Sequence, residues 1–214
     1  MPDDTHEVIW TVVVAGGTGL RFGGTPKQYE MLAGRRILDW SLAAAGEASD
    51  GVITVLPPDD AGAPGTVAGG ETRSASVRNG LAAVPSEATI VCVHDAARPF
   101  ATEADFDAVV AAVRAGADGA VPALPVTDTI KVIDGAGTVV ATPDRSTLVA
   151  VQTPQAFRAD VLRRAHASGR EGTDDAALVE RLGATVVVVP GSVRNRKITV
   201  PEDLEWARRE AVAP

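Results

Sequence analysis

Two stretches of the chain combine residue types suited to phosphate chemistry. The first, Ala15-Gly16-Gly17-Thr18-Gly19-Leu20-Arg21-Phe22-Gly23-Gly24-Thr25-Pro26-Lys27-Gln28, follows an apolar run and sets two cations, Arg21 and Lys27, six positions apart. Glycine lets the backbone approach a ligand closely, and successive N–H groups in such a loop can surround phosphate oxygens. A P-loop would need Gly-Lys-Ser/Thr, and a dinucleotide fingerprint would need glycine where Phe22 stands, so neither familiar version applies. Cations at a glycine loop suit triphosphate binding and phosphoryl or nucleotidyl transfer, because the charge sits on non-bridging oxygens. The second stretch is Val93-His94-Asp95-Ala96-Ala97-Arg98-Pro99, at the carboxyl end of another apolar run. Ligands of open α/β sheets sit at that edge, which predicts Asp95 and Arg98 facing the same crevice as the glycine loop. Asp95 suits a hydroxyl or a water of a bound Mg²⁺, and Arg98 suits a phosphate. The alternative for Asp95 is a helix N-cap, while His94 and Cys92 read as packing residues.

The elements that must hold these loops are legible as a rhythm. Short β-branched runs at Val8 to Val14, Gly51 to Leu56, Thr89 to Val93, Gly119 to Leu124, Leu148 to Val151 and Thr185 to Val189 alternate with alanine-rich helical patterns. The helical patterns are Ile37 to Ala48, Ser74 to Ala83, Glu103 to Ala115, Ala159 to Ala167, Asp174 to Leu182 and one after Pro201. The runs are nearly continuous in apolar character, as strands covered on both faces are. Thr102, Thr173 and Pro201-Glu202-Asp203 supply helix-start signals. The class is α/β: a three-layer α/β/α sandwich with a Rossmann-like, mostly parallel sheet. Thr129 to Ile133 and Thr138 to Val140, joined by Asp134-Gly135-Ala136-Gly137, break the rhythm and predict a projecting β-hairpin. The Ala/Gly/Pro-rich stretch from Pro57 to Gly70 reads as a loop.

Composition bounds the function. The chain has 214 residues, 20 Lys+Arg against 28 Asp+Glu, a net charge of -8 and one cysteine. At roughly 100–200 residues per domain, this predicts one domain over residues 1–214. The acid surplus argues against a nucleic-acid partner. A single Cys92 forms no internal disulfide, and the N-terminal residues lack the basic region of a secretory signal, so a cytoplasmic protein is expected. No apolar run approaches the roughly 20 residues of a membrane span. Only Lys27, Lys131 and Lys197 are lysines, against seventeen arginines.

The ordered set of motifs resembles the 2-C-methyl-D-erythritol 4-phosphate cytidylyltransferase family, whose fold is of the nucleotide-diphospho-sugar transferase type. The likeness runs from the glycine loop with Pro26-Lys27-Gln28-Tyr29 through Gly69-Gly70-Glu71-Thr72-Arg73-Ser74-Ala75-Ser76-Val77 and the Asp95 stretch. It continues through Pro125 to Lys131, Asp144-Arg145, Gln152 to Phe157, Thr173 to Ala176 and Asn195-Arg196-Lys197-Ile198-Thr199. The resemblance implies transfer of CMP from CTP to methylerythritol phosphate with a divalent cation, usually Mg²⁺, held mainly by the CTP phosphates with Asp95 as a candidate ligand. It implies that Arg21 and Lys27 stabilise the transition state at the α-phosphate, and that Arg145 and Lys197 position the sugar phosphate. Ala15, Gly16, Gly17, Gly70 and Ser76 match cytidine and phosphate contacts, and Asp95, Arg98, Thr129 and Thr153 match the sugar-phosphate site. In the family Arg98 and Thr129 reach a neighbour's site, so residues 126–147 are expected to form the arm of a homodimer. Without the resemblance, Arg145 reads as a solvated arginine on a surface turn, Lys197 as part of a basic cluster before the last helix, and Ser76 as solvent-facing.

The chain departs from the family in places: Val14-Ala15-Gly16-Gly17 replaces the common Pro-Ala-Ala-Gly, and Glu71 stands where an Asp is often seen. Two alternatives are a ribitol 5-phosphate cytidylyltransferase, with a second acyclic polyol phosphate as acceptor, and an inert nucleotide-binding module, which loss of the loop cations would mark.

Overall fold

The computed structural model describes residues 7–17 and 26–212. Strand β1 (Ile9–Val14) lies at the centre of an eight-stranded sheet, parallel to β4 (Gly51–Leu56) on one side and β6 (Ile90–Asp95) on the other. β5 (Thr66–Ala68) extends the sheet beyond β4 in parallel, and β12 (Val186–Pro190) runs parallel to β7 (Gly119–Pro125). β10 (Val149–Val151) is antiparallel to β7, and β11 (Gln155–Arg158) is antiparallel to both β6 and β7.

Apolar residues alternate between two cores because each central strand is covered twice. Val12, Val55, Val91 and Val93 point to one face, where they meet α2 (Arg73–Ala83), α4 (Ala159–Ala167) and α5 (Asp175–Glu180). Val13, Ile90 and Cys92 point to the other, against α1 (Ile37–Glu47) and α3 (Glu103–Arg114). The three layers are those that the sequence rhythm predicts. A third cluster joins α6 (Pro201–Glu210) to Leu32, Ile37 and Ile198, so the last helix holds down the segment that carries Lys197.

Several local expectations change. Residues Pro57 to Gly70 include β5, and a small hairpin of β2 (Met31–Leu32) and β3 (Arg35–Arg36) turns at Ala33-Gly34, both with positive φ. β11 was not legible: Gln-Ala-Phe-Arg is short and polar at both ends, and only pairing with strands on both sides makes it extended. The N-cap of α5 is Asp174, whose carboxylate accepts from Ala177 N at 2.9 Å, rather than Thr173. The expected hairpin is present as β8 (Val132–Ile133) and β9 (Val139–Ala141), paired with each other and separate from the main sheet.

Helix α2 packs tightly on the sheet at Gly80, where a Cβ would lie 2.5 Å from Val12 Cγ1 and 3.0 Å from Val55 Cγ2. Two effects oppose each other in Gly80→Ala: a helix-propensity gain of about 1 kcal/mol and an overpacking cost of about 1–3 kcal/mol. Val12 is fully buried and β-branched, with no long side chain to swing aside, so overpacking should win. The expected result is a lower urea midpoint at unchanged slope, and an unchanged or raised midpoint would refute this packing account.

Candidate active site

The carboxyl ends of β1, β4 and β6 open into a cleft of about 590 Å³. The chain leaves β1 towards β4 and β5, whereas β6 flanks β1 on its other side, so the sheet order reverses at this point. Such a switch point leaves a crevice between diverging loops. The loops are pinned to the strand ends: Ala15 N donates to Val55 O at 2.8 Å, Ala96 N to Val14 O at 3.1 Å and Gly69 N to Leu56 O at 2.7 Å.

One wall is the turn into α2. Thr72 caps the helix, its hydroxyl accepting from Ala75 N at 3.0 Å, and Gly70 N donates to Ser76 Oγ at 3.1 Å. A Cβ on Gly70 would stand 2.5 Å from Ala75 Cβ, so only glycine lets the turn close this tightly. The N-terminus of α2 thereby borders the cleft, an end whose free N–H groups and dipole favour anions.

The floor and the far wall carry charge. Asp95 ends β6 and is buried at 8% exposure, with Oδ2 2.5 Å from Lys197 Nζ and Oδ1 accepting from Arg73 Nε at 3.1 Å. Burial alone would push its carboxyl up, but the cations Arg73 and Lys197, with Arg98 behind them, hold it well below the usual carboxylate range. Arg73 Nη1 reaches Asp175 Oδ2 at 2.8 Å, and Asp175 Oδ1 lies 2.9 Å from His166 Nε2. Lys27 Nζ donates to Ile198 O at 2.7 Å, and Ile198 N donates to Ala97 O at 2.8 Å, so both cleft lysines are tied to the same strip of chain.

The cleft thus brings together Ala15, Gly16, Gly17, Lys27, Gly70, Ser76, Asp95 and Lys197. Arg21 lies outside the described residues. Two alternatives fall: Ser76 is buried at the turn, not solvent-facing, and Asp95 is an ion-pair centre, not a helix cap. Arg98 does not line the cleft; its Nη1 donates to Asn195 O at 2.7 Å and its Nη2 reaches Val151 O at 3.4 Å. Thr153 does not line it either: its Oγ1 accepts from Asp95 N at 3.0 Å and pairs with His94 Nδ1 at 3.2 Å, which fixes the strand end from beneath. Thr129 and Arg145 are exposed on the arm, where Arg145 Nη1 donates to Thr127 O at 2.6 Å, so one chain does not unite Arg145 with Lys197 in the cleft.

Arg73, Asp175 and Asn195 were missed as site residues. Their signal was modest: an arginine at a helix start beside glycines, and a paired Asp174-Asp175. As for metal, the described residues contain no group of three or more His, Cys, Asp or Glu placed to hold an ion. The cleft offers Asp95 and Glu71 as carboxylates, a donor set that fits a Mg²⁺ held chiefly by nucleotide phosphates.

The family model described as IspD, 2-C-methyl-D-erythritol 4-phosphate cytidylyltransferase, matches residues 9–211. The chain belongs to this family. A relative of that name from Streptomyces coelicolor is 45% identical, with 92% of this chain and 82% of the relative covered. A bifunctional enzyme IspD/IspF from Solidesulfovibrio magneticus is 44% identical over 96% of this chain and 58% of its own length. The chain thus spans little more than half of the bifunctional relatives it matches. The crystal structure of the cytidylyltransferase from Thermus thermophilus superposes with a TM-score of 0.80 at 37% identity, covering 97% of this chain and 100% of the other. The synthase structure from Anaerococcus prevotii gives 0.83 at 30% identity, covering 95% and 98%.

His94 supplies a pH test of the floor. It is fully buried against Phe106, and its Nε2 has no hydrogen-bond partner among the described residues. Burial pushes the imidazole down from 6.5 to about 4. The unfolded chain therefore takes up a proton that the folded one refuses, so this contribution to stability is whole above about pH 6.5 and declines as the pH falls towards 4. His94→Gln should flatten the decline, measured by urea unfolding at about pH 7 and about pH 5. An equal decline in both proteins would show that His94 is not its source.

Proposed function

We propose that the chain is a cytidylyltransferase that joins CTP to 2-C-methyl-D-erythritol 4-phosphate, giving 4-diphosphocytidyl-2-C-methyl-D-erythritol and pyrophosphate in non-mevalonate isoprenoid biosynthesis. The observation that carries the reading is the placement of Lys27 and Lys197 in one glycine-walled cleft at the switch point of the sheet. Family membership and the names of the relatives support the same reaction.

The chemistry requires little more than placement and charge. An oxygen of the sugar phosphate attacks the α-phosphorus of CTP, a new P–O bond forms, and the α–β P–O bond breaks with its electron pair leaving on pyrophosphate. The nucleophile is already anionic, so no general base is needed, and the task is to bring two polyanions together in line. Lys27, with Arg21 from the glycine loop, serves the α-phosphate. Lys197 serves the sugar phosphate. Ala15, Gly16, Gly17, Gly70 and Ser76 receive the nucleotide. Mg²⁺, bound mainly by the triphosphate near Asp95, would neutralise phosphate charge. Because CTP and sugar phosphates are intracellular metabolites, the reading places the work in the cytoplasm. Among the described residues no helix is long and apolar enough to cross a membrane.

We further propose a homodimer in which the arm at residues 126–147 packs on a second copy. The arm exposes Ile133 at 59%, Val139 at 54% and Val140 at 60%, a row of large apolar side chains on a two-stranded ribbon. A lone hairpin is marginal in water, so a covering surface favours it. Dimerisation would bring Thr129 and Arg98 towards the neighbouring cleft, as the resemblance implies, and Arg145 lies on the same arm.

With CTP and Mg²⁺, pyrophosphate release should require methylerythritol phosphate; preference for ribitol 5-phosphate, or no release with either, would overturn the assignment. Lys27→Ala should lower kcat by about 100-fold or more with a lesser effect on KM, the pattern of a lost transition-state contact. A raised KM at unchanged kcat would refute that role. Wild type should sediment as a dimer at micromolar concentration and Val140→Glu as a monomer with little activity. A fully active wild-type monomer would refute the arm's role.

A further inference from the structure

A line of polar side chains runs from the cleft into the layer of helices. Lys197, Asp95 and Arg73 line the cleft, and Asp175 and His166 lie behind them, with successive contacts of 2.5, 3.1, 2.8 and 2.9 Å. Asp175, the first residue of α5, is fully buried, and His166 of α4 is buried beside it. Arg73 opens α2 and bridges two carboxylates that come from different elements, the end of β6 and the start of α5.

Asp95 presents a problem to a cleft that takes polyanions. Its carboxylate lies on the cleft floor, where it repels phosphate and competes with phosphate for the Lys197 ammonium. With Arg73 on Oδ1, half of the carboxylate is already satisfied and its plane is fixed, so Lys197 meets only Oδ2. The guanidinium suits this task because its rigid fork binds two acceptors at set angles, which an ammonium does not. Asp175 in turn sets the fork: with Nη1 committed to Asp175 and Nε to Asp95, the guanidinium has one orientation left.

We propose that Arg73 is a positioning residue for the transfer reaction: bridging Asp175 and Asp95, it fixes the carboxylate that anchors the Lys197 ammonium at the cleft. Loss of Arg73 would leave Asp95 free to rotate and to draw Lys197 down, away from an incoming phosphate. The proposal rests on Lys197 serving the sugar phosphate.

Arg73→Ala would strand the buried Asp175 without its cation and endanger folding. The informative variant is therefore Arg73→Gln with Asp175→Asn, which removes the buried charge pair together and leaves Asp95 and Lys197 in place. The expected effect is a rise of about tenfold in KM for methylerythritol phosphate with KM for CTP within about twofold, and no further rise when the pair is added to Lys197→Ala. Equal rises in both backgrounds, or a fall in kcat alone that tracks the folded fraction, would overturn the proposal. A second readout needs no turnover: the chain has only three lysines, so ¹³C-lysine labelling gives three ε-methylene signals. The Lys197 signal should shift in the variant pair while that of Lys131 stays in place; an unmoved Lys197 signal would overturn the positioning role. Wild type that uses no sugar phosphate with CTP would defeat the functional reading, and the lysine signal would still decide the role of Arg73.

Discussion

Asp95 is a carboxylate buried on the floor of the cleft, and the site is organised around the cations that balance it. A buried anion costs several kcal/mol unless it is paired and hydrogen-bonded. Here the cations come from distant parts of the chain, Lys197 from the segment before α6 and Arg73 from α2, while Asp95 itself ends β6. The ion pairs therefore fix where three elements meet. Thr153, which accepts from Asp95 N, adds a fourth.

The segment Asn195 to Ile198 depends on the same region. Asn195 O accepts from Arg98, Asn195 Nδ2 donates to Thr153 O at 2.9 Å, and Ile198 bonds Ala97 through its N–H and Lys27 through its carbonyl. Below these bonds Ile198 is fully buried in the apolar cluster of α6, so the last helix acts as a clamp on the cleft's far wall. Arg98 and Thr153 thus have a structural task within the single chain, holding the segments that carry Asp95 and Lys197 against each other. The arm stands apart from this clamp: its apolar residues face outward, and its Arg145 donates to Thr127 O at the arm's own base.

How much was legible follows physical lines. Continuous apolar runs such as Trp10 to Val14 and Ile90 to Val93, interleaved with alanine-rich helices, specify a doubly covered sheet because no other arrangement buries them. Glycines before Lys27, and Asp95 at a strand end, point to one cleft because the end of a parallel strand is where loops diverge, and Gly16, Gly17, Lys27 and Asp95 do line it. The hairpin of the arm showed in its Asp-Gly-Ala-Gly turn. By contrast β11 has no period of its own, and β5 lay hidden in a loop-like composition; both are strands only through their neighbours.

The amino-acid sequence by itself determined the layers, the hairpin of the arm and the residue types gathered at the cleft, since periodicity, glycine and charge are local properties. Only the tertiary structure decided which cation meets which anion. Asp95 and Lys197 are 102 positions apart, and so are Arg73 and Asp175, and no local rule links such separations. Their partners follow from strand order and from which helix start falls beside which strand end. For the same reason Arg98, which reads as a phosphate ligand in its own segment, becomes a brace once Asn195 is folded against it.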